Sequence, residues 1–488
     1  MRARRLMGIE TEYGILSAED PTADPQLLSA AVIGDIGVCG DASDPWAVTS
    51  RWLSNGARWY VDHAHPEYST PEVTGPRDAV AYDLAGERLM AERAAAMGIS
   101  LYKNNVDGKG SSYGTHENYQ VSRLVPWEDL VTALVPFLVT RQVFAGAGRV
   151  GLGARGQEPG FQISQRADYI ETVTGLATTA RRSIVNTRDE PLCDPDTWRR
   201  VHLILGDANS FPCASWLKMG TTAMVLWWLE SARDKNSVPS ALDLGRRLAL
   251  ADPVAAVSEV SRDLTGNARL VLASGETMTA LEIQTAYLDG ITAALSSSIL
   301  NQGDRSTSES GTCDLGTPES DTVPSEARAI LAQWSDVLRR LGVGPHLCAR
   351  DVEWAAKLHL IEAMRTRDRL GWDHPKLAAM DLHWSDVNPE RGVAQRLRQR
   401  GLVDNPVSHE DVARAMAEPP ADTRAFGRGR LVAAHQDARA GSNPTGQTPT
   451  GQTSTAQAHA VRILSMDWDH AVVADKSGIP ARHAFDVT

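Results

Sequence analysis

Residues 56–72 read GARWYVDHAHPEYSTPE. Arg58-Trp59-Tyr60-Val61 has the aromatic and β-branched content of a strand. A side-chain period of two puts Arg58, Tyr60 and Asp62 on one face and Trp59, Val61 and His63 on the other. His65 and Glu67 follow around Pro66. Polar groups thus line one side of a segment whose other side is mainly apolar. The fold and the function both turn on whether that side meets water or a ligand.

The same pairing recurs along the first 210 residues. In GIETEYGI (8–15), Glu10 and Glu12 oppose Ile9, Thr11 and Tyr13. In THENYQV (115–121), His116 aligns with Asn118. In GFQISQRADYIE (160–171), Gln162, Ser164 and Arg166 are expected to share a strand face. In RRVHLILGDAN (199–209), Arg200 and His202 oppose Val201, Leu203 and Leu205. A polar-out strand is how an ordinary antiparallel sheet meets water. Solvated faces favour Lys, Glu and Thr, whereas this set is Glu, Tyr, Asp, His, Asn and Arg with no Lys. Carboxylates with imidazoles and no thiolate suit Mg²⁺ or Mn²⁺ better than zinc or copper. Arg58, Arg166 and Arg200 have the fork geometry that grips phosphate oxygens. No GxxxxGK[ST] and no strand-linked GxGxxG is present, so a nucleotide would be held by side chains and metal on the sheet rather than by a glycine loop.

Composition bounds the class. The chain has 488 residues, 42% of them hydrophobic, enough for more than one domain. A net charge of −12 argues against nucleic acid as a partner. No run of about 18 apolar residues exists to cross a membrane. Cys39, Cys193, Cys213, Cys313 and Cys348 are odd in number, scattered and without CxxC spacing, which fits free thiols and a cytoplasmic location.

Helices are expected over 76–98, where Pro76 opens and Gly98 closes the segment. They are also expected over 127–145, with a bend at Pro136, and over 325–342, 351–367 and the stretch PQLLSAAVIG (25–34). Strands with segregated helices indicate an α+β fold with a largely antiparallel sheet. Two polar tracts, 296–326 and 438–457 (with the doubled unit PTGQT), read as unstructured.

Taken together, GIETEYGI, NGARWYVDHAHPEYSTPE, LYKNNVDGKGSSYGTHENY, FQISQRADYIE, SIVNTRDEPL, RRVHLILGDAN, DVEWAAKL and DLHWSDV resemble the Pup ligase/depupylase family of actinobacteria. The resemblance runs from residue 7 to about 430, and more weakly to MDWDH (466–470). It implies a glutamine synthetase-like large domain with a curved, mainly antiparallel sheet packed on helices, placed at 1–418. A small C-terminal domain is placed at 419–488. The wording VDHAHPEY and KNNVDGKG is similar to the depupylase branch. That branch hydrolyses the isopeptide bond between Pup and lysine and deamidates a C-terminal glutamine of Pup. The alternatives are the ligase of the same fold, a small-molecule carboxylate–amine ligase and a non-catalytic, nucleotide-gated Pup adaptor.

Carried onto this chain, the resemblance implies that Glu10, Tyr60, Glu67, His116 and His202 hold two or more Mg²⁺ ions. Gly8, Ile9, Glu10, Thr11, Glu12, Arg58, Ser69, Thr70, Asn118, Arg200 and Trp468 would contact ATP, which is not consumed stoichiometrically. Arg166 would face the terminal phosphate, and Asp62 would be the catalytic carboxylate. Pup and pupylated proteins are the implied partners, with the proteasomal ATPase as a further one. One departure is a short connection, residues 16–55, between the first strand and Arg58. GVCGDASDPWAV (37–48) reads as a stub of the family's longer loop, which puts loop-dependent control in doubt but not the chemistry.

Overall fold

The computed structural model describes residues 5–34, 50–151, 157–190, 193–231, 240–305, 325–440, 462–474 and 480–485. They form two compact units, Met1–Met7 with Gly75–Val80 and Tyr102–Val407, and Gly8–Thr74 with Ala81–Leu101 and Ser408–Thr488. The strands bearing the polar faces are β1 (Met7–Glu12), β2 (Ser50–Trp52), β3 (Arg58–Asp62), β4 (His65–Ser69), β5 (Thr115–Ser122), β6 (Ile170–Gly175), β7 (Arg182–Asn186) and β8 (Trp198–Leu203).

In the smaller unit the strand order is β1-β4-β3-β2, antiparallel throughout. Glu12 lies opposite Glu67 and Glu67 opposite Tyr60, while Glu10 and Arg58 flank Ser69. This register lays Glu10, Glu12, Glu67, Ser69, Arg58, Tyr60 and Asp62 on one face, because each partner pair shares a side of the sheet. The other face carries Ile9, Trp59 and Tyr68, all buried.

That apolar face belongs with the helices α1 (Pro25–Ile33) and α2 (Pro76–Ala95). A Cβ on Gly86 would lie 2.2 Å from the Tyr68 ring, so α2 approaches the sheet at a distance only glycine permits there. Thr11 is spent on the same side, its hydroxyl donating to Asp83 at 3.1 Å. Trp52, Val432, Ile463, Met466, Ala471 and Phe485 form a separate core cluster, so the residues expected as a small C-terminal domain pack with the first strands.

In the larger unit the order is β6-β7-β8-β5. The pairs are antiparallel except β6 with β7, which run parallel. His202 lies opposite Asn118 and Arg200 opposite Gln120, so His116, Asn118, Arg200 and His202 share a face. Glu117, Tyr119, Val201 and Leu203 face the other way and are buried. There Arg141 donates to Glu117 at 2.8 Å and to the Thr222 hydroxyl at 2.6 Å, and the Tyr119 hydroxyl donates to Glu117 at 2.8 Å.

Several expectations change. The helix over 127–145 is two helices, Trp127–Thr140 and Gln142–Ala145, parted at this bonded Arg141. The tract 296–326 is helical at both ends, since one helix runs Ala280–Arg305 and the next starts at Ser325. Within the first of these helices Ser296 and Ser297 donate their hydroxyls to the carbonyls of Thr292 and Ala293. Residues 306–324 lie outside the described residues, as do 35–49, which hold the whole loop stub, and 441–457 of the PTGQT tract. The helix Ala425–Ala440 covers 438–440. Cys193, Cys213 and Cys348 are free thiols, and Cys39 and Cys313 fall outside the description.

Candidate active site

The smaller unit assembles a face of acids. Ligand oxygens of Glu12, Asp62 and Glu67 all lie within 4.8 Å of one another. The Tyr60 hydroxyl donates to Glu67, and Ser69 lies 3.4 Å from the same hydroxyl. Burial first, then the neighbouring Glu10 and Glu12 carboxylates, push the Glu67 carboxyl well above the usual range, while the Tyr60 hydrogen bond works against them. Burial and the charges of Glu67 and Glu10 likewise raise the Tyr60 phenol. Like charges held this close favour a proton or a cation among them. Oxygen donors on rigid strands are what a hard divalent cation requires. Asp62 closes β3, its side chain 37% exposed.

Beside the acids runs an alternating stack. The Arg58 guanidinium lies over the rings of Tyr60 and Trp52 at 5.2 and 5.3 Å. Trp52 meets Trp468 edge-on at 4.7 Å, and Arg428 lies over both tryptophans. Arg428 is fully buried, donating to the Trp468 carbonyl at 2.7 Å, to the Gly56 carbonyl and to Glu72. Trp52 thus lies between Arg58 and Trp468, two of the residues expected to contact ATP. Gly8 and Thr70 line the edge of β1, where the Ile9 amide donates to the Thr70 hydroxyl at 3.0 Å. Ile9 and Thr11, also in the expected nucleotide set, turn their side chains to the buried face.

The larger unit assembles imidazoles and guanidinium. The rings of His116 and His202, both buried, have centroids 4.9 Å apart. Arg200 donates to Asn118 at 3.2 Å and to Glu190 at 2.9 Å. Arg166 is a correction. A short strand covers only Gly160–Gln162, and Arg166 immediately precedes the helical turn Ala167–Tyr169, so Gln162, Ser164 and Arg166 do not form a strand face. The cause is Asp207, a buried carboxylate that accepts from the amides of Ala147, Gln165 and Arg166 and from the Ser164 hydroxyl. Those bonds curl the chain. Arg166 then reaches the Tyr113 carbonyl at 2.6 Å, which also accepts from Asn105. Asp207 and Asn105 were visible only as letters in GDAN and KNN, with no period to single them out.

A family model described as Pup-ligase protein matches residues 5–443. The chain belongs to that family. It is 43% identical over 470 residues to the depupylase of Acidothermus cellulolyticus, covering 88% of each chain. It is 38% identical over 456 residues to the Pup–protein ligase of Acidimicrobium ferrooxidans, covering 89% of this chain and 90% of the relative. The structure of the Pup ligase PafA of the prokaryotic ubiquitin-like modification pathway, in complex with ADP, superposes with a TM-score of 0.73 at 31% identity, covering 90% of this chain and 88% of that one. The glutamine synthetase-like α+β class expected from the resemblance is therefore the fold of this Pup-ligase family member.

Proposed function

We propose that this member of the family is an ATP- and Mg²⁺-dependent depupylase and Pup deamidase. It hydrolyses the isopeptide bond between the C-terminal glutamate side chain of Pup and a substrate lysine, and the side-chain amide of a C-terminal glutamine of Pup. The observation that carries this reading is the acidic face, with an accessible Asp62 beside Glu12 and Glu67. The greater identity to a depupylase than to a ligase supports hydrolysis over conjugation.

On this reading Glu10, Tyr60, Glu67, His116 and His202 hold two or more Mg²⁺ ions, and the crowded acids fit such ligation. Bound Mg²⁺ supplies positive charge that steadies nucleotide phosphates and a developing oxyanion. Arg58, Ser69, Thr70, Asn118, Arg200 and Trp468, with the backbone of Gly8–Glu12, contact ATP; the ADP-bound PafA structure supports a nucleotide here. Arg166, its backbone fixed by Asp207, faces the terminal phosphate. Residues 1–418 carry this machinery, and 419–488 contribute Trp468.

An amide carbon is a poor electrophile, so the site must supply a strong nucleophile. Two steps are open to Asp62. It attacks the carbonyl, the C–N bond breaks with the nitrogen leaving as protonated amine or ammonia, and water opens the resulting anhydride; or it takes a proton from water or bound phosphate as that group attacks, and passes the proton to the leaving nitrogen. Pup and pupylated proteins are the partners, and the proteasomal ATPase is a further one. No helix among the described residues is long and apolar enough to cross a membrane.

The test is incubation with ATP, Mg²⁺ and Pup ending in glutamine. Ammonia release, with the mass gain of amide-to-acid conversion, is the expected result. ATP consumption with formation of a Pup–lysine conjugate would make the chain a ligase, and binding without turnover would make it an adaptor.

A further inference from the structure

The turn that follows Asp62 is built from the wrong residues. Asp62 pairs with His65, leaving His63 and Ala64 as a two-residue hairpin turn with φ of 45° and 73°. Among the described residues only His63, Ala64, Arg181 and Arg369 are non-glycine residues with positive φ, and two of the four are consecutive here. Such turns are normally made by Asn-Gly, Asp-Gly or Gly-Gly, because a Cβ crowds the backbone in the left-handed region. Alanine has no polar side chain with which to offset that cost. Something outside the hairpin must hold the turn.

The hold comes from α1. Ser29, fully buried, donates its hydroxyl to the Ala64 carbonyl at 2.7 Å. The helix that presents it is fastened at both ends. Asp24 caps the first turn by accepting from the Gln26 amide at 2.8 Å, with Pro25 as the first helical residue. At the other end Arg93, from α2, donates to the carbonyls of Val32 and Ala31. A Cβ on Gly34 would lie 1.9 Å from that guanidinium, so the glycine leaves room for the clasp. The turn in its turn folds His63 back, with Nδ1 2.9 Å from an Asp62 oxygen.

We propose that Ser29 is a positioning residue for Asp62. Its hydroxyl keeps the His63–Ala64 turn in the left-handed conformation and so fixes where the Asp62 carboxylate points. This rests on the reading that Asp62 acts on the Pup amide. The hydroxyl touches no ligand; it acts through the Ala64 carbonyl alone.

The test is steady-state cleavage of Pup ending in glutamine by the full chain with ATP and Mg²⁺. Ser29→Ala is expected to lower kcat about ten-fold, the scale of a sub-ångström misplacement, with KM for Pup and nucleotide affinity unchanged. Ala64→Gly, which accepts positive φ without help, is expected to restore most of that loss in the double variant. Ala64→Val strains the turn while leaving the hydroxyl in place, and is expected to lower kcat even if Ser29→Ala fails to fold.

Wild-type kcat in Ser29→Ala or in Ala64→Val overturns the proposal. So does a Ser29→Ala loss that Ala64→Gly does not repair, or one shared equally by nucleotide affinity, since both mark a merely structural role. Asp62→Asn is run alongside. If that variant is fully active, the reading of Asp62 fails; if it is inactive while Ser29→Ala is normal, only the present inference fails.

Discussion

Glu67 and Glu72 stand five residues apart in the same unit, both largely buried, and titrate in opposite directions. Burial alone would raise both. At Glu67 the next influences are Glu10 and Glu12, which raise it further. At Glu72 they are the guanidiniums of Arg428 and Arg424, which bring it down to about 2. One carboxylate is settled by the fold and the other is left in a crowd of its own sign. A fold that can balance Glu72 so thoroughly has the means to balance Glu67. The crowding is a feature of the face with Asp62 on it, and it is the part of the unit suited to a cation.

The sharpest way to break this contrast is at Asp62. If the crowded face does the chemistry, Asp62→Asn should lower cleavage of Pup by at least ~10³-fold, the range for loss of a base or nucleophile. Nucleotide affinity, followed by calorimetric titration, should survive. Loss of both together would mean that Asp62 holds up the face rather than acting from it.

Next in size is Glu72→Gln. The fully buried Arg428 would lose its charge partner, and breaking such a pair costs about 3–5 kcal/mol. Denaturant melts of the variant should show that loss with no direct effect on the chemistry. The pH dependence carries a definite sign. A carboxyl depressed from 4.5 to about 2 stabilises the fold above its unfolded pKa, and the contribution is lost as pH falls from about 4.5 toward 2. Wild type should therefore lose stability through that window more steeply than Glu72→Gln. Parallel acid titrations of the two would show Glu72 to be unimportant.

The face parity behind the contrast was legible in the sequence. Arg58, Tyr60 and Asp62, Glu10 with Glu12, His116 with Asn118 and Arg200 with His202 all share faces as a period of two requires, because each sits inside a regular ladder. Legibility failed where a distant group overrode the local pattern. Phe161 to Arg166 alternates like a strand, yet Asp207 captures its amides and bends it. His63 reads as a strand residue beside Val61, yet Ser29 fixes a turn there that His-Ala does not announce. Nothing local sets Glu72 apart from the acids before it, yet Arg428 and Arg424, hundreds of residues away in sequence, both pair with it. In each case the deciding partner is tertiary.

Parity itself can be tested from the opposite side of the strand. Tyr68, the neighbour of Glu67, points to α2, where Gly86 leaves no room for a methyl group. Gly86→Ala should cost about 1–3 kcal/mol by overpacking, despite the better helix propensity of alanine. A thermal melt reads this directly, and a stabilised variant would mean that the ring is not held against the helix.

The smallest effect is expected at Glu67 itself, and it is the most discriminating. Glu67→Gln replaces a carboxyl that burial and its neighbours already press toward the protonated form, so without metal the variant should match wild type in stability or exceed it by at most ~1 kcal/mol. That ceiling allows for the hydrogen bond from Tyr60, which a glutamine oxygen still accepts. Adding Mg²⁺ should then separate the two proteins. A ligand that binds only the folded state raises stability with its concentration, so wild type should gain and the variant should gain less. Glu72→Gln should respond to Mg²⁺ as wild type does, because its carboxylate is already balanced by arginine. An equal Mg²⁺ response from the Glu67 and Glu72 variants would erase the distinction between the two glutamates.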